Sequence, residues 1–147
     1  MQKNDIYQRV KGLDERQRKL ADLFSQFHSV CSSIAQDRTP HAWLPGLEVT
    51  ALAKETNSFL ATYAGLEILL EYVFAPTVEQ RGRAVVTYSL VDRLRLQNAP
   101  VVLGKFAFKS NGETDIEAEG DHLYMDAGNE PMLILCYVIG EVAYAER

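Results

Sequence analysis

The residues that could carry chemistry in this chain are few and scattered. The histidines are His28, His41 and His122, and only His122 has carboxylates nearby in sequence, at Asp121 and Asp126. These are metal-ligand types, but adjacent strand residues point to opposite faces, so Asp121 and His122 would not converge on one ion. The chain also contains no phosphate loop, dinucleotide glycine pattern or nucleophile elbow. The sequence therefore predicts no metal site and no cofactor.

Asp92 is the one candidate for acid–base catalysis. It shares the alternation of Val86, Tyr88 and Leu90, so a regular strand would turn it toward the core. A buried carboxylate without a partner has a raised pKa, which is how catalytic acids are often made. The alternative, which we favour, is that Asp92 lies where its strand ends. The sequence thus favours a protein that is not an enzyme, with Asp92 as the remaining argument for one.

Charged residues form two one-sided patterns on predicted strands. A basic face, which would receive a phosphate, a carboxylate or a neighbouring acidic strand, consists of Arg83, Arg93 and Arg95. An acidic stripe on alternate positions consists of Glu113, Asp115, Glu117 and Glu119, and continues to Asp121. The stripe either binds a basic partner or is a solvated face that discourages edge-to-edge strand pairing.

These strands need a scaffold, and the most regular stretch of the chain is a predicted helix over residues 4–36. Its apolar positions follow a 4-3 spacing: Ile6, Val10, Leu13, Leu20, Phe24, Phe27, Cys31 and Ile34. Such a helix would be about 50 Å long, which exceeds the diameter of about 38 Å for a domain of this size. We therefore expect residues 20–34 to dock on the home domain and residues 6–17 to project from it.

The projecting half predicts a seam for a homodimer or another protein, formed by Ile6, Val10, Leu13 and Gln17. Gln17 would set the register of the seam or simply face solvent. Gly12 costs about 1 kcal/mol relative to alanine inside a helix, and a break there is one alternative. The other is a single amphipathic helix that covers one sheet.

After Gly46 the period changes from helical to alternating, which predicts a mainly antiparallel meander of five to seven strands over residues 47–126. Ala64-Gly65 predicts a two-residue hairpin turn. A two-residue loop at Asn111-Gly112 would put Phe106 and Phe108 opposite acidic residues. We therefore predict a three-residue turn, Ser110 to Gly112, with Gly112 left-handed.

Two segments outside the meander are read from composition. Residues 131–146 are one continuous apolar run; Asn129 and Pro131 favour a helix there, and a buried strand is the alternative. Trp43, in the loop before the sheet, is expected to fold back as a lid on the core rather than form an exposed tip.

The length suggests one domain over residues 1–147. A long N-terminal helix packed on a mainly antiparallel meander, with a C-terminal helix, makes the predicted fold α+β. A net charge of −5 argues against binding to nucleic acid or an anionic membrane. The N-terminus lacks a signal-peptide pattern, and Cys31 and Cys136 read as core thiols, so a cytoplasmic location is expected.

The sequence leads to two hypotheses about function. The first is a small, acidic, non-enzymatic homodimer that binds or regulates another protein, of the accessory, inhibitor, immunity or chaperone type. The alternative is a small-molecule-binding domain, with Asp92 as a candidate catalytic group. Its pocket would be lined by aromatic side chains: Tyr63, Tyr72, Phe74, Tyr88, Phe106 and Phe108.

Overall fold

A computed structural model describes residues 2–52, 57–74, 82–91 and 101–145 of the chain. Within these residues, two helices flank seven strands. In chain order they are α1 (Lys3–Gln36), β1 (Glu48–Ala51), β2 (Ser58–Tyr63), β3 (Leu66–Phe74), β4 (Arg83–Leu90), β5 (Val101–Lys109), β6 (Glu113–Ala118), β7 (Asp121–Tyr124) and α2 (Glu130–Ala143). The predicted α+β class is confirmed, and residues 131–146 are helical through Ala143 rather than a buried strand.

The seven strands form one sheet in which spatial order equals chain order, β1 to β7, and every neighbouring pair is antiparallel. This confirms the predicted meander. Both edge strands are only four residues long. Short edges limit pairing with other chains, so the sheet itself offers little template for strand addition.

Helix α1 is continuous over its 34 residues, so Gly12 does not break it. Its first turn is closed by Asp5, whose Oδ2 accepts a hydrogen bond of 3.1 Å from the backbone N–H of Gln2. No Cβ clash would arise at Gly12, which has open space around it. The apolar 4-3 spacing therefore runs along one uninterrupted rod.

The core lies between one face of the sheet and the second half of α1, with α2 beside it. The ring of Phe24 is central: its centroid lies 4.8 Å from that of Tyr72 and 5.6 Å from that of Phe59. Leu20, Phe27 and the Cys31 thiol are completely buried. The prediction that residues from Leu20 onward pack on the home domain is confirmed for these side chains.

Two predicted turns are confirmed. Ala64 and Gly65 both have positive φ, and Tyr63 pairs with Leu66 across them, as in a two-residue hairpin. At the β5–β6 turn Gly112 has φ +91°, and Phe108 pairs with Thr114. The three-residue loop thus keeps the phenylalanines on the core face.

Two predictions about local structure are wrong. Glu119 is not on a strand: with φ +55° it is the first residue of a two-residue turn with Gly120, which joins β6 to β7. Trp43 is 70% exposed and is not a lid, because Leu44 and Leu47 fill that place in the core. Leu44, the residue after Trp43, is also apolar and takes the covering position that was predicted for the tryptophan.

Neither helix of the described chain is suited to crossing a bilayer. Helix α1 is long enough but rich in charge, and α2 is apolar but has only 14 residues.

Candidate interaction surfaces

The first half of α1, residues Lys3–Lys19, is here called the arm. All of its side chains are exposed except at Gly12, which is half-buried. Its apolar residues form a stripe, here called the arm stripe, whose exposed fractions are 56% for Ile6, 63% for Tyr7, 65% for Val10 and 48% for Leu13. Gln17 is also exposed, whereas Leu20 is completely buried. The same helix face thus passes from solvent into the core within one turn.

Among the described residues, Arg16 links the arm to its own domain: its guanidinium lies over Gly82, where a Cβ would be 3.3 Å from Nη1. Within the arm, Arg18 and Asp14 form an exposed ion pair of 3.0 Å, a spacing worth about 0.3–0.5 kcal/mol. An isolated helix of this length is only marginally stable in water. The arm therefore presents a continuous, solvent-exposed apolar stripe.

A second apolar surface lies on the outside of α2. It is here called the α2 face, and its members are Val102, 62% exposed, Leu133 and Tyr137, each 40% exposed, and Tyr144, 89% exposed. Val102, Tyr137 and Tyr144 border an open groove of about 740 Å³, together with Leu103, Cys136, Gly140, Glu141 and Ala145. Large exposed apolar patches mark interaction sites more often than inert surface.

Behind the α2 face, the side chains of Tyr88, Tyr137 and Glu141 influence one another's ionisation. Burial, with Tyr137 and Glu141 nearby, raises the pKa of Tyr88 to about 12. Burial also raises the pKa of Tyr137, so both phenols stay protonated at neutral pH. A general base needs a pKa near the working pH, which these tyrosines do not have.

The acidic hairpin β6–β7 gathers charged side chains that the sequence pattern placed only in part. Glu113, Asp115 and Glu117 alternate with the buried Thr114 and Ile116, as predicted, whereas Glu119 lies in the turn. Asp115 Oδ1 accepts a hydrogen bond of 3.0 Å from the Ala107 backbone N–H.

Arg83 lines a cavity of about 200 Å³ together with Glu113, Asp115, Lys109 and His122. Lys109 Nζ lies 3.9 Å from Glu113 Oε2 across the β5–β6 turn. The other two members of the predicted basic face, Arg93 and Arg95, lie outside the described residues. The candidate catalytic residue Asp92 lies outside them as well.

His122 joins this cluster, and sequence reasoning missed it. Its Nδ1 lies 2.9 Å from the Thr114 carbonyl oxygen, which can only accept, so Nδ1 carries a proton. Nε2 then faces two carboxylates, 3.5 Å from Glu117 and 3.9 Å from Glu113. The sequence feature that could have revealed this cluster is the register of the β6–β7 hairpin, because Glu117 pairs with His122 across the turn at Gly120. Among the described residues no group of three or more His, Cys, Asp or Glu side chains has the arrangement to hold a metal ion.

The aromatic residues proposed as a pocket lining are mostly core. Tyr88, Phe106 and Phe108 belong to the buried cluster, and Tyr63, Tyr72 and Phe74 pack against it. Of these only Phe108 lines one of the cavities described here. A third cavity, of about 440 Å³, lies between the end of α1 and the exposed Trp43.

The cysteines lie where core thiols were expected. Cys31 is buried and Cys136 is half-buried, and both are free. Burial raises the pKa of both thiols, so neither is an activated nucleophile.

Comparison of the chain with protein-family models, with curated proteins and with solved structures finds no match in any of the three.

Proposed function

We propose that this protein is a non-enzymatic, protein-binding homodimer with an accessory or regulatory role. The observation that carries the proposal is the arm stripe, whose four side chains are about half exposed or more on a helix continuous with the core. Leaving that much apolar surface in water is unfavourable by about 25 cal/mol per Å². Association removes this cost.

The spacing of the arm also supports association through a helix. Ile6, Val10 and Leu13 continue the a and d positions of the buried half, and Gln17 occupies the intervening a position. A polar residue at one a position is a common way to fix register and partner number in helix pairs.

The test is the molar mass of the purified full-length chain by light scattering over a range of concentrations. The wild-type protein is expected to be a dimer. Val10→Glu with Leu13→Glu places two charges in the arm stripe and is expected to give a folded monomer, because neither side chain contributes to the buried core. The matched control is Gln8→Glu, on the opposite side of the arm, which should remain dimeric. A monomeric wild-type protein, or a double variant that stays dimeric, would refute the proposal.

A further inference from the structure

Two apolar surfaces in the described part of the chain have no cover: the arm stripe and the α2 face. The chain's own arm does not cover the α2 face, because Ile6, Val10 and Leu13 remain about half exposed or more. Helix α1 is continuous from Lys3 to Gln36 and has no hinge at which the arm could turn back. Contact between the two surfaces therefore requires two chains.

The two surfaces carry opposite charge. The arm has six basic residues, Lys3, Arg9, Lys11, Arg16, Arg18 and Lys19, against three acidic ones, Asp5, Asp14 and Glu15. Helix α2 carries two acidic residues, Glu130 and Glu141, and no lysine or arginine. Charge complementarity of this kind favours encounter and fixes register.

The two surfaces also match in spacing and length. The arm presents Ile6, Val10, Leu13 and Gln17 at intervals of four, three and four residues. Three members or neighbours of the α2 face on the helix, Leu133, Tyr137 and Gly140, are followed at its C-cap by Tyr144, and the four positions have the same intervals. Each set spans about 16 Å of helix. Gly140 has no atom within 4 Å of the position of a Cβ, so it leaves a hole for a partner side chain.

We propose that the arm of one chain docks on the α2 face of a second copy, and that the two copies exchange arms about a two-fold axis. This inference rests on the homodimer proposed above and specifies its interface. A two-fold axis makes the same contact twice, which doubles the buried area toward the roughly 1,000 Å² that a stable interface needs. Direct arm-to-arm pairing is less favourable because it brings two basic segments together and leaves both α2 faces in water.

The first experiment locates the arm by photo-crosslinking. A photoreactive phenylalanine analogue replaces Val10, and the labelled protein is mixed with an isotopically heavy wild-type chain. Cross-linked peptides are then mapped by mass spectrometry. The expected product joins position 10 of the light chain to residues 133–144, or to Val102, of the heavy chain. The same analogue at Gln8, on the other side of the arm, is the control and should give little of that product.

The outcomes separate this inference from the homodimer proposal. A cross-link from position 10 to residues 3–19 of the other chain would overturn arm exchange while the homodimer stands. Cross-links confined within one chain would overturn arm exchange as well. A protein that is monomeric at every concentration would overturn both proposals.

The second experiment exchanges charges. Arg9→Glu with Arg16→Glu, and separately Glu130→Lys with Glu141→Lys, are each expected to weaken the dimer about tenfold in Kd. In an equimolar mixture, the two double variants can form a mixed dimer. One of its contacts joins the acidic arm of the first variant to the basic α2 face of the second, so the charges are again opposite. The mixture should therefore dimerise more tightly than either variant alone. Glu119→Lys, in the β6–β7 turn away from α2, is the control and should leave Kd unchanged. A Kd unaffected by the α2 substitutions would contradict the inference.

Discussion

The side chain of Tyr88 lies directly over the backbone of Gly104, its cross-strand partner in β5. A Cβ at position 104 would lie 2.5 Å from Cζ of Tyr88, closer than real Cβ contacts come. We predict that Gly104→Ala destabilises the fold by about 1–3 kcal/mol, as over-packing of a core commonly does. The measurement is the free energy of unfolding from urea titration.

A second variant separates this clash from a general intolerance of strand substitutions. Tyr88→Leu removes the ring atoms that would meet the new Cβ, so the penalty of Gly104→Ala should be smaller in a Tyr88→Leu background. Additive effects of the two substitutions would show that the ring is not the cause.

At Gly12 the opposite effect is expected. Gly12 lies inside α1 with open space at its Cβ position, so Gly12→Ala removes the helix penalty of glycine without a clash. The gain should be about 1 kcal/mol of local helix stability. It should appear as slower amide hydrogen exchange, by about fivefold, in residues 3–19. Unchanged exchange in the arm would mean that its opening is not controlled by helix propensity.

The stacked pair His28 and Phe59 predicts a pH dependence of stability. The ring centroids are 4.4 Å apart with the planes 3° from parallel, and burial lowers the pKa of His28 below its usual 6.5. The folded state therefore favours the neutral ring. This contribution to stability is fully present above pH 6.5 and falls as the pH drops below that value.

The measurement is the change in the free energy of unfolding between pH 7.5 and pH 5.5 in the wild-type protein and in His28→Gln. The decrease on acidification should be smaller in the variant, because the group that must be desolvated has been removed. His41→Gln, in an exposed loop, is the matched control and should behave as wild type. Identical pH dependence in all three proteins would rule out His28 as the source.

Thr114 anchors the acidic hairpin from inside. Its hydroxyl is buried, donates to the Leu123 carbonyl at 2.7 Å, and accepts from the Ile116 N–H at 3.2 Å. Thr114→Val keeps the shape but removes both hydrogen bonds to the backbone, and should cost about 1–3 kcal/mol in urea unfolding. Thr114→Ser retains the hydroxyl and should cost less. A smaller loss in valine than in serine would show that the methyl group, and not the hydrogen bonds, matters.

The sequence predicted those elements whose pattern has only one consistent solution. The three-residue turn at Ser110 to Gly112 followed from the need to keep Phe106 and Phe108 off the acidic face. The division of α1 at about Leu20 followed from a helix too long for its domain. In both cases a local period and a global size constraint agree.

Other features depend on geometry that a single sequence does not encode locally. The turn at Glu119-Gly120 was hidden because the acidic alternation continues through it, and the pairing of Glu117 with His122 depends on that turn. The α2 face could not be found while helix and strand were both open for residues 131–146. When every residue of a helix is apolar, the side that becomes buried is decided by packing, here against β4, β5 and β7. The sequence then contains no periodic pattern that shows which side this is.

The strict order of the meander has a consequence for how the chain is made. Each strand pairs with the strand synthesised just before it, so the sheet can grow one hairpin at a time as the chain emerges from the ribosome. Helix α1 is made before the sheet, but its buried half can pack on the sheet only after β1 to β3 exist, and α2 is made after all seven of these strands. During synthesis a chain therefore has an uncovered arm well before its own α2 face exists. Only a copy whose α2 has already been synthesised can bind that arm.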